Sequence, residues 1–132
     1  MNYFSGHGAG RRSAFYFKAQ EIRQLSRRIS EYLIPDLSGL SENGSENKYI
    51  YYTGDIIRHT ESLLSNISKA EDESIEESKM KYVSSVNSLT DRLYKNCENL
   101  EKVNSNGRDF LRILRHELNK FRKLHRVWKL SL

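Results

Sequence analysis

Arg108, Arg112, Arg115, Asn119, Arg122, Arg126 and Lys129 recur at spacings of 4, 3, 4, 3, 4 and 3. On an α-helix, which turns about 100° per residue, that rhythm gathers them into a single stripe. Five of its six cations are arginines, whose planar guanidinium forks onto phosphate oxygens where a lysine ammonium acts as a point charge. At about 1.5 Å per residue the stripe runs for roughly 33 Å, and it contains no Asp or Glu. Its charges can follow consecutive phosphates of a nucleic-acid strand, holding the backbone without reading bases. A plain solvated face is the competing account, although such faces usually mix charges of both signs.

A second basic patch gathers Arg11, Arg12, Lys18, Arg23, Arg27 and Arg28, with Tyr16 on the side of Arg12, Arg23 and Arg27. A tyrosine among arginines can stack on an exposed base; a half-buried core position accounts for Tyr16 equally well. The candidate binding residues are therefore Arg108, Arg112, Arg115, Arg122, Arg126 and Lys129, joined by Arg12, Arg23 and Arg27. The preceding Gly6-His7-Gly8-Ala9-Gly10 leads towards a helix start, where backbone amides can hold an anion. It lacks the preceding strand and the Lys-Ser or Lys-Thr pair of a nucleotide loop, so it reads as a flexible tail.

Catalytic readings are thinner. HEPN-type ribonucleases, also small helical bundles, carry an Arg followed after four to six residues by His. Arg108 and His116 resemble that pair with seven residues between them, whereas Arg112–His116 has three and Arg115–His125 nine, so each pairing departs from the pattern. The run Arg115-His116-Glu117-Leu118-Asn119 resembles the phospho-acceptor box of sensor histidine kinases, without the proline that usually follows and with nothing to bind ATP. Glu76 and Glu77 complement a helix N-terminus and need no catalytic role. No cofactor or metal is implied: Cys97 is the only cysteine, which excludes a disulfide framework and a multi-cysteine zinc site and fits a reducing cytoplasm.

The elements that must position these residues follow from composition and periodicity. The chain has 132 residues, 37% apolar and 30% charged, enough for one core and short for two. No run approaches the ~20 apolar residues of a membrane span, and Met1-Asn2-Tyr3-Phe4-Ser5-Gly6 has no signal-type apolar stretch, so a cytoplasmic protein is expected. The net charge of +5 is unevenly placed: residues 1–35 carry +4, residues 36–105 carry −5 and residues 106–132 carry +6. Basic ends bracketing an acidic middle favour a polyanionic partner, unless the acidic helices neutralise the basic ones within the bundle.

The apolar periodicity is helical throughout. A first helix is predicted from about Ser13, its N-cap, to Ile34, with Phe15, Ala19, Ile22, Leu25, Ile29 and Leu33 inward; Pro35 ends it. Residues 35–47 read as a mobile loop and residues 1–12 as a flexible lead-in. A second helix starts between Lys48 and Asp55, with Tyr52, Ile56, Leu63, Leu64 and Ile67 buried. A third begins at a Ser74–Glu77 capping box and turns Tyr82, Val86, Leu89, Leu93, Leu100 and Val103 inward, with Asn96 in the one polar slot. Asn104-Ser105-Asn106-Gly107 breaks it. The fourth, from about Arg108 to Leu130, buries Leu111, Leu114, Leu118, Phe121 and Trp128, while Phe110, Ile113, Leu124 and Val127 widen that sector. The expected fold is all-α, one domain over residues 1–132: a four-helix up-and-down bundle with long third and fourth helices.

That whole-chain profile, together with the basic edge from Arg108 to Lys129, resembles the small subunit of multi-subunit CRISPR interference complexes. The resemblance implies a non-enzymatic antiviral-defence protein, present in several copies beside other subunits, that holds the backbone of single-stranded nucleic acid or an RNA–DNA hybrid. The rival reading is a protein interaction scaffold docking through the apolar sector of the fourth helix and the Tyr49, Tyr51 and Tyr52 cluster.

Overall fold

The computed structural model describes residues 11–37, 49–102 and 107–132. Within them lie four helices and no strand: α1 (Ala14–Leu37), α2 (Tyr49–Asp72), α3 (Glu76–Glu101) and α4 (Arg108–Ser131). Among the described residues each helix packs on its neighbours in the order α1, α2, α3, α4 and back to α1, with no diagonal packing. Arg12 meets Asp72, Phe15 meets Trp128 and Arg115 meets Glu101. Each pair of helices joined by these residues is therefore antiparallel, as in an up-and-down bundle.

Ser13 caps α1 as its sequence position predicts, its Oγ accepting from the Tyr16 amide at 3.1 Å. The helix continues through Pro35 to Leu37, past the expected stop. A proline removes only its own N–H and crowds one preceding carbonyl, which so near a helix end leaves two further residues in helical geometry. Arg12 is not part of a loose lead-in, because Asp72 holds it. The Gly6–Gly10 stretch, residues 38–47, the side chains of Tyr49 and Tyr51, and Val103 lie outside the described residues.

At the start of α3 the Ser74–Glu77 capping box does not form. Ile75 occupies the N-cap position without a side-chain bond, and the Glu73 carboxylate accepts from the Ser74 and Ile75 amides at 3.1 and 3.5 Å instead. Only three residues separate α2 from α3, so the nearest acid reaches those amides first.

The buried line of α3 is Val83, Val86, Thr90, Leu93, Cys97 and Leu100, rotated from the expected one. Tyr82 and Leu89 sit half-buried on the α2 flank, where Lys69 lies 5.9 Å from the Tyr82 ring centroid. Thr90 can enter the core because its hydroxyl donates to the Val86 carbonyl at 2.8 Å, leaving its methyl to pack. Ser26 and Ser30 in α1 do the same on Ile22 and Ser26 carbonyls at 2.8 and 3.0 Å, while Leu25 is only half-buried.

In α4 the buried side chains are Leu111, Leu114, Leu118, Phe121 and Trp128, as the periodicity predicts. Phe15 of α1 stacks between Phe121 and Trp128, with ring centroids at 4.1 and 4.7 Å. Gly107 lets α4 begin against the end of α1, since a Cβ there would stand 2.8 Å from Leu33 Cδ2. Phe110, Ile113, Leu124 and Val127, however, are exposed. The inward sector is narrower than predicted because α1 and α3 cover the two sides of one stripe only.

Leu118→Ala is expected to destabilise the bundle by about 2–5 kcal/mol through lost burial and a residual cavity. Leu89→Ala, at the half-buried margin, should cost about 1 kcal/mol. Chemical denaturation of both variants checks this, and equal losses would contradict the rotated core of α3.

Candidate nucleic-acid interface

In the second basic patch, Arg12, Arg23 and Arg27 are paired with acids across the α1–α2 seam, while Lys18 pairs with Glu117 of α4. Arg12 donates through both Nη atoms to the Asp72 carboxylate at 2.8 and 2.7 Å and through Nη1 to the Ser68 carbonyl at 3.2 Å; this bonding raises its pKa further, Asp72 contributing most. Its guanidinium lies 5.7 Å from the half-buried Tyr16 ring. Arg23 and Arg27 both reach Glu61, at 3.2 and 2.7 Å. The acidic middle of the sequence thus complements the basic start by direct pairing.

The α4 stripe divides in two. Arg115 forks onto Glu101 at 2.6 and 3.1 Å, with the Tyr94 hydroxyl 3.4 Å away, and those hydrogen bonds, Glu101 first, push its pKa up. Arg112 lies 3.9 Å from Glu101 and 3.8 Å from Asp109. Arg122 pairs with Asp91 at 3.1 Å and stands 4.7 Å above the Tyr94 ring. Arg108, Arg126 and Lys129 are exposed and make no ion pair among the described residues. The division follows from α3: its acids after the first turn are Asp91, Glu98 and Glu101, and none occurs from Ser78 to Thr90. Because α3 and α4 are antiparallel, the acidic half of α3 lies beside Arg112, Arg115 and Arg122, and its serine-rich half lies beside Arg126 and Lys129.

Between those latter halves runs a groove lined by Ser84, Asn87 and Ser88 from α3 and His125, Arg126 and Lys129 from α4, floored by Val83. None of these is acidic. His125 Nε2 lies 3.4 Å from the Val83 carbonyl, and burial is the first cause of its lowered pKa, with Lys129 adding to it and the Val83 bond opposing it. Ser84 and Ser88 also line the adjoining α2–α3 groove with Ser85, Ser62, Asn66 and the exposed Arg92. A ridge of small hydroxyl and amide side chains is thereby flanked by cations on both sides. Hydroxyls, amides and guanidinium groups all bond phosphate oxygens. Ser84, Asn87, Ser88 and Arg92 are absent from the sequence-predicted set; three serines at mid-helix, where serine is a poor helix former, are the signal that marks them.

No protein-family model matches this chain, and no curated protein or solved structure is significantly similar to it.

Other chemistry is sparse. Burial pushes the Cys97 thiol up to about 12, so at neutral pH it stays protonated and unreactive. No group of three or more potential metal ligands occurs among the described residues. No described helix is long and apolar enough to cross a membrane. His116, the common member of the ribonuclease-like and kinase-like pairings, is exposed on α4.

At the opposite edge of α4's last turn, Glu71 joins three helices. Its carboxylate accepts from Trp128 Nε1 at 2.9 Å, from the Ser13 hydroxyl, and from the Ser13 amide at 3.4 Å, and Arg12 Nη1 lies 3.7 Å away. Replacing Glu71 by Ala strands the indole N–H and the capping serine. The expected loss is roughly 1–3 kcal/mol per buried group left unsatisfied, and a changed Trp128 emission spectrum should accompany it.

His59 is half-buried, its Nδ1 has no hydrogen-bond partner among the described residues, and burial, then Arg92 and Arg58, lower its pKa. His59 and His125 therefore both favour the neutral form in the folded state. The folded protein then binds fewer protons than the unfolded chain below the ordinary imidazole value of 6.5, so stability is full above that pH and falls as pH drops through it. Thermal melts across this range should show the decline, and a His59→Gln, His125→Gln double variant should flatten it.

Proposed function

We propose that this chain is a non-enzymatic helical-bundle subunit that holds nucleic-acid backbone in the α3–α4 groove, as part of a larger RNA-guided ribonucleoprotein assembly of the kind whose small subunit it resembles. The observation that carries the reading is the acid-free groove in which Arg126 and Lys129 stand exposed and, among the described residues, without an ion pair beside Ser84, Asn87 and Ser88. Backbone binding of this kind needs cations at phosphate spacing and small donors, and no base-reading side chains.

The six paired cations take a different part. Arg12, Arg23, Arg27, Arg112, Arg115 and Arg122 join helices to one another or to their own acids. A phosphate would have to displace a carboxylate to reach Arg115. Of the nine candidate cations, Arg126 and Lys129 therefore bear most of the binding, with Arg92 extending the path across the serine ridge, while Arg108 stands exposed at the other end of α4.

Titration of single-stranded and duplex oligonucleotides over a salt series tests this. Arg126→Gln with Lys129→Gln should weaken binding by a similar factor for every sequence and make the single-strand salt slope shallower by roughly 1.4, at about 0.7 for each phosphate no longer neutralised. Arg23→Gln with Arg27→Gln should change affinity far less. Undiminished binding by the groove variant, or loss confined to one sequence, rejects the proposal.

A further inference from the structure

The flank of α4 facing away from the basic groove carries a second pattern. Phe110, Ile113, Glu117, Lys120, Leu124 and Val127 recur at spacings of 3, 4, 3, 4 and 3, the rhythm of positions a and d in a coiled coil. The apolar four are exposed by 37%, 50%, 44% and 67% in chain order. With Glu117 and Lys120 between the two apolar pairs, the six form one stripe beside α1, bounded at one end by Tyr32, whose ring stacks on Phe110 with centroids 5.0 Å apart. Isolated exposed apolar residues need no explanation, but a helical seam of them at heptad spacing marks an interaction surface.

The order of residues along the seam specifies the occupant. It reads the same from both ends: two apolar residues, one charge, one opposite charge, two apolar residues. We infer that the seam binds a second copy of this chain, with α4 packed antiparallel on α4 of its partner about a two-fold axis midway between Glu117 and Lys120. In that register Phe110 meets Val127, Ile113 meets Leu124 and Glu117 meets Lys120, and the two-fold repeats each layer. These are the a-to-d pairings of an antiparallel coiled coil, and a two-fold interface must be self-complementary in this way.

Charge selects this arrangement over its competitors. A parallel pair sets Glu117 against Glu117 and Lys120 against Lys120. An antiparallel pair slipped by one heptad sets a charge against an apolar residue. Only the symmetric antiparallel register pairs every charge with its opposite and every apolar residue with another, so the polar centre fixes alignment as buried polar layers do in coiled coils. The centre is already neutral within one chain: Lys18 and Lys120 lie 2.6 and 3.3 Å from Glu117, and Lys18 lies 3.9 Å from Glu21. Bringing two such centres together thus joins two balanced clusters. The basic groove, on the α3 side of α4, stays open in the pair.

Sedimentation equilibrium from micromolar to sub-millimolar concentration reads the mass directly. The full chain should reach twice 15.5 kDa, in a concentration-dependent way. Lys120→Glu makes both central pairs Glu–Glu and Glu117→Lys makes both Lys–Lys, so each variant alone should be a monomer, while their equimolar mixture should form a heterodimer with both pairs opposite in charge. Circular dichroism confirms that each remains helical. Should Glu117→Lys fail to fold because Lys18 then faces a like charge, Ile113→Cys with Leu124→Cys in a Cys97→Ser background gives a second test. That variant should oxidise to a covalent dimer, and neither single cysteine should. A wild-type chain that stays monomeric throughout, as it would if residues 1–10 covered the seam, overturns the inference; so does a dimer indifferent to both charge reversals.

Discussion

Glu71 stands in the last two residues of α2, between the first turn of α1 and the last turn of α4, with a side chain only 10% exposed. Ser13, Trp128 and Arg12 all converge on its carboxylate. A carboxylate so shielded is tolerated only where donors surround it, and here those donors are the N-cap of one helix and the indole of another. The convergence fixes how far α1 and α4 can slide along α2. Once that end is set, Phe15 falls between Phe121 and Trp128, and the remaining layers of the core follow at helical repeat. The other end has a different lock, the absence of a Cβ at Gly107 against Leu33. Between these two constraints the register of α4 against α1 is settled, and with it the direction in which each face of α4 points.

Three sectors of α4 then have distinct roles. The leucine stripe with Phe121 and Trp128 faces inward. About 100° to one side lie the cations, beside α3, and about 100° to the other lies the exposed apolar seam, beside α1. A helix with a single apolar face would pack in the bundle and leave a polar exterior. This one keeps apolar and cationic edges on opposite flanks, so a protein neighbour and a polyanion can be accommodated at once without competing for side chains.

Much of this was legible in the sequence because it is local. The rhythm of Leu111, Leu114, Leu118 and Phe121 needs no knowledge of the rest of the chain, and the Ser13 cap depends on residues three apart. What was not legible depends on neighbours distant in sequence. Thr90 and Ser26 read as polar, yet each hydroxyl is satisfied by a carbonyl of its own helix, which turns a nominally polar position into a core one; at Thr90 this goes with a buried stripe of α3 rotated away from Tyr82 and Leu89. Pairing of Arg12 with Asp72 spans 60 residues. The charge asymmetry announced that such pairing was an option, but only the packing order says which acid meets which cation. Ser74 and Glu77 fit a capping box in type and spacing, and lost to Glu73 because the link between α2 and α3 is so short.

The partition of the basic edge shows how topology converts a uniform sequence pattern into a graded surface. Along α4 the cations are evenly spaced, so nothing in that helix alone distinguishes Arg115 from Arg126. The distinction is written in α3, where, after the first turn, acids occupy the second half and serines the first. An up-and-down connection reverses direction, placing late residues of α3 beside early residues of α4. Had the two helices been parallel, Asp91 and Glu101 would have stood beside the far half of α4 and left the near half open. Glu101 accepts the Arg115 fork and so holds α3 to α4 where the chain turns, while α3 carries no acid from Thr90 back to Ser78 and the groove there leaves Arg126 and Lys129 their charges for solvent or for a ligand. A polyanion approaching this protein meets positive potential concentrated at one end of the α3–α4 seam, because carboxylates at the other end already screen it at hydrogen-bond distance.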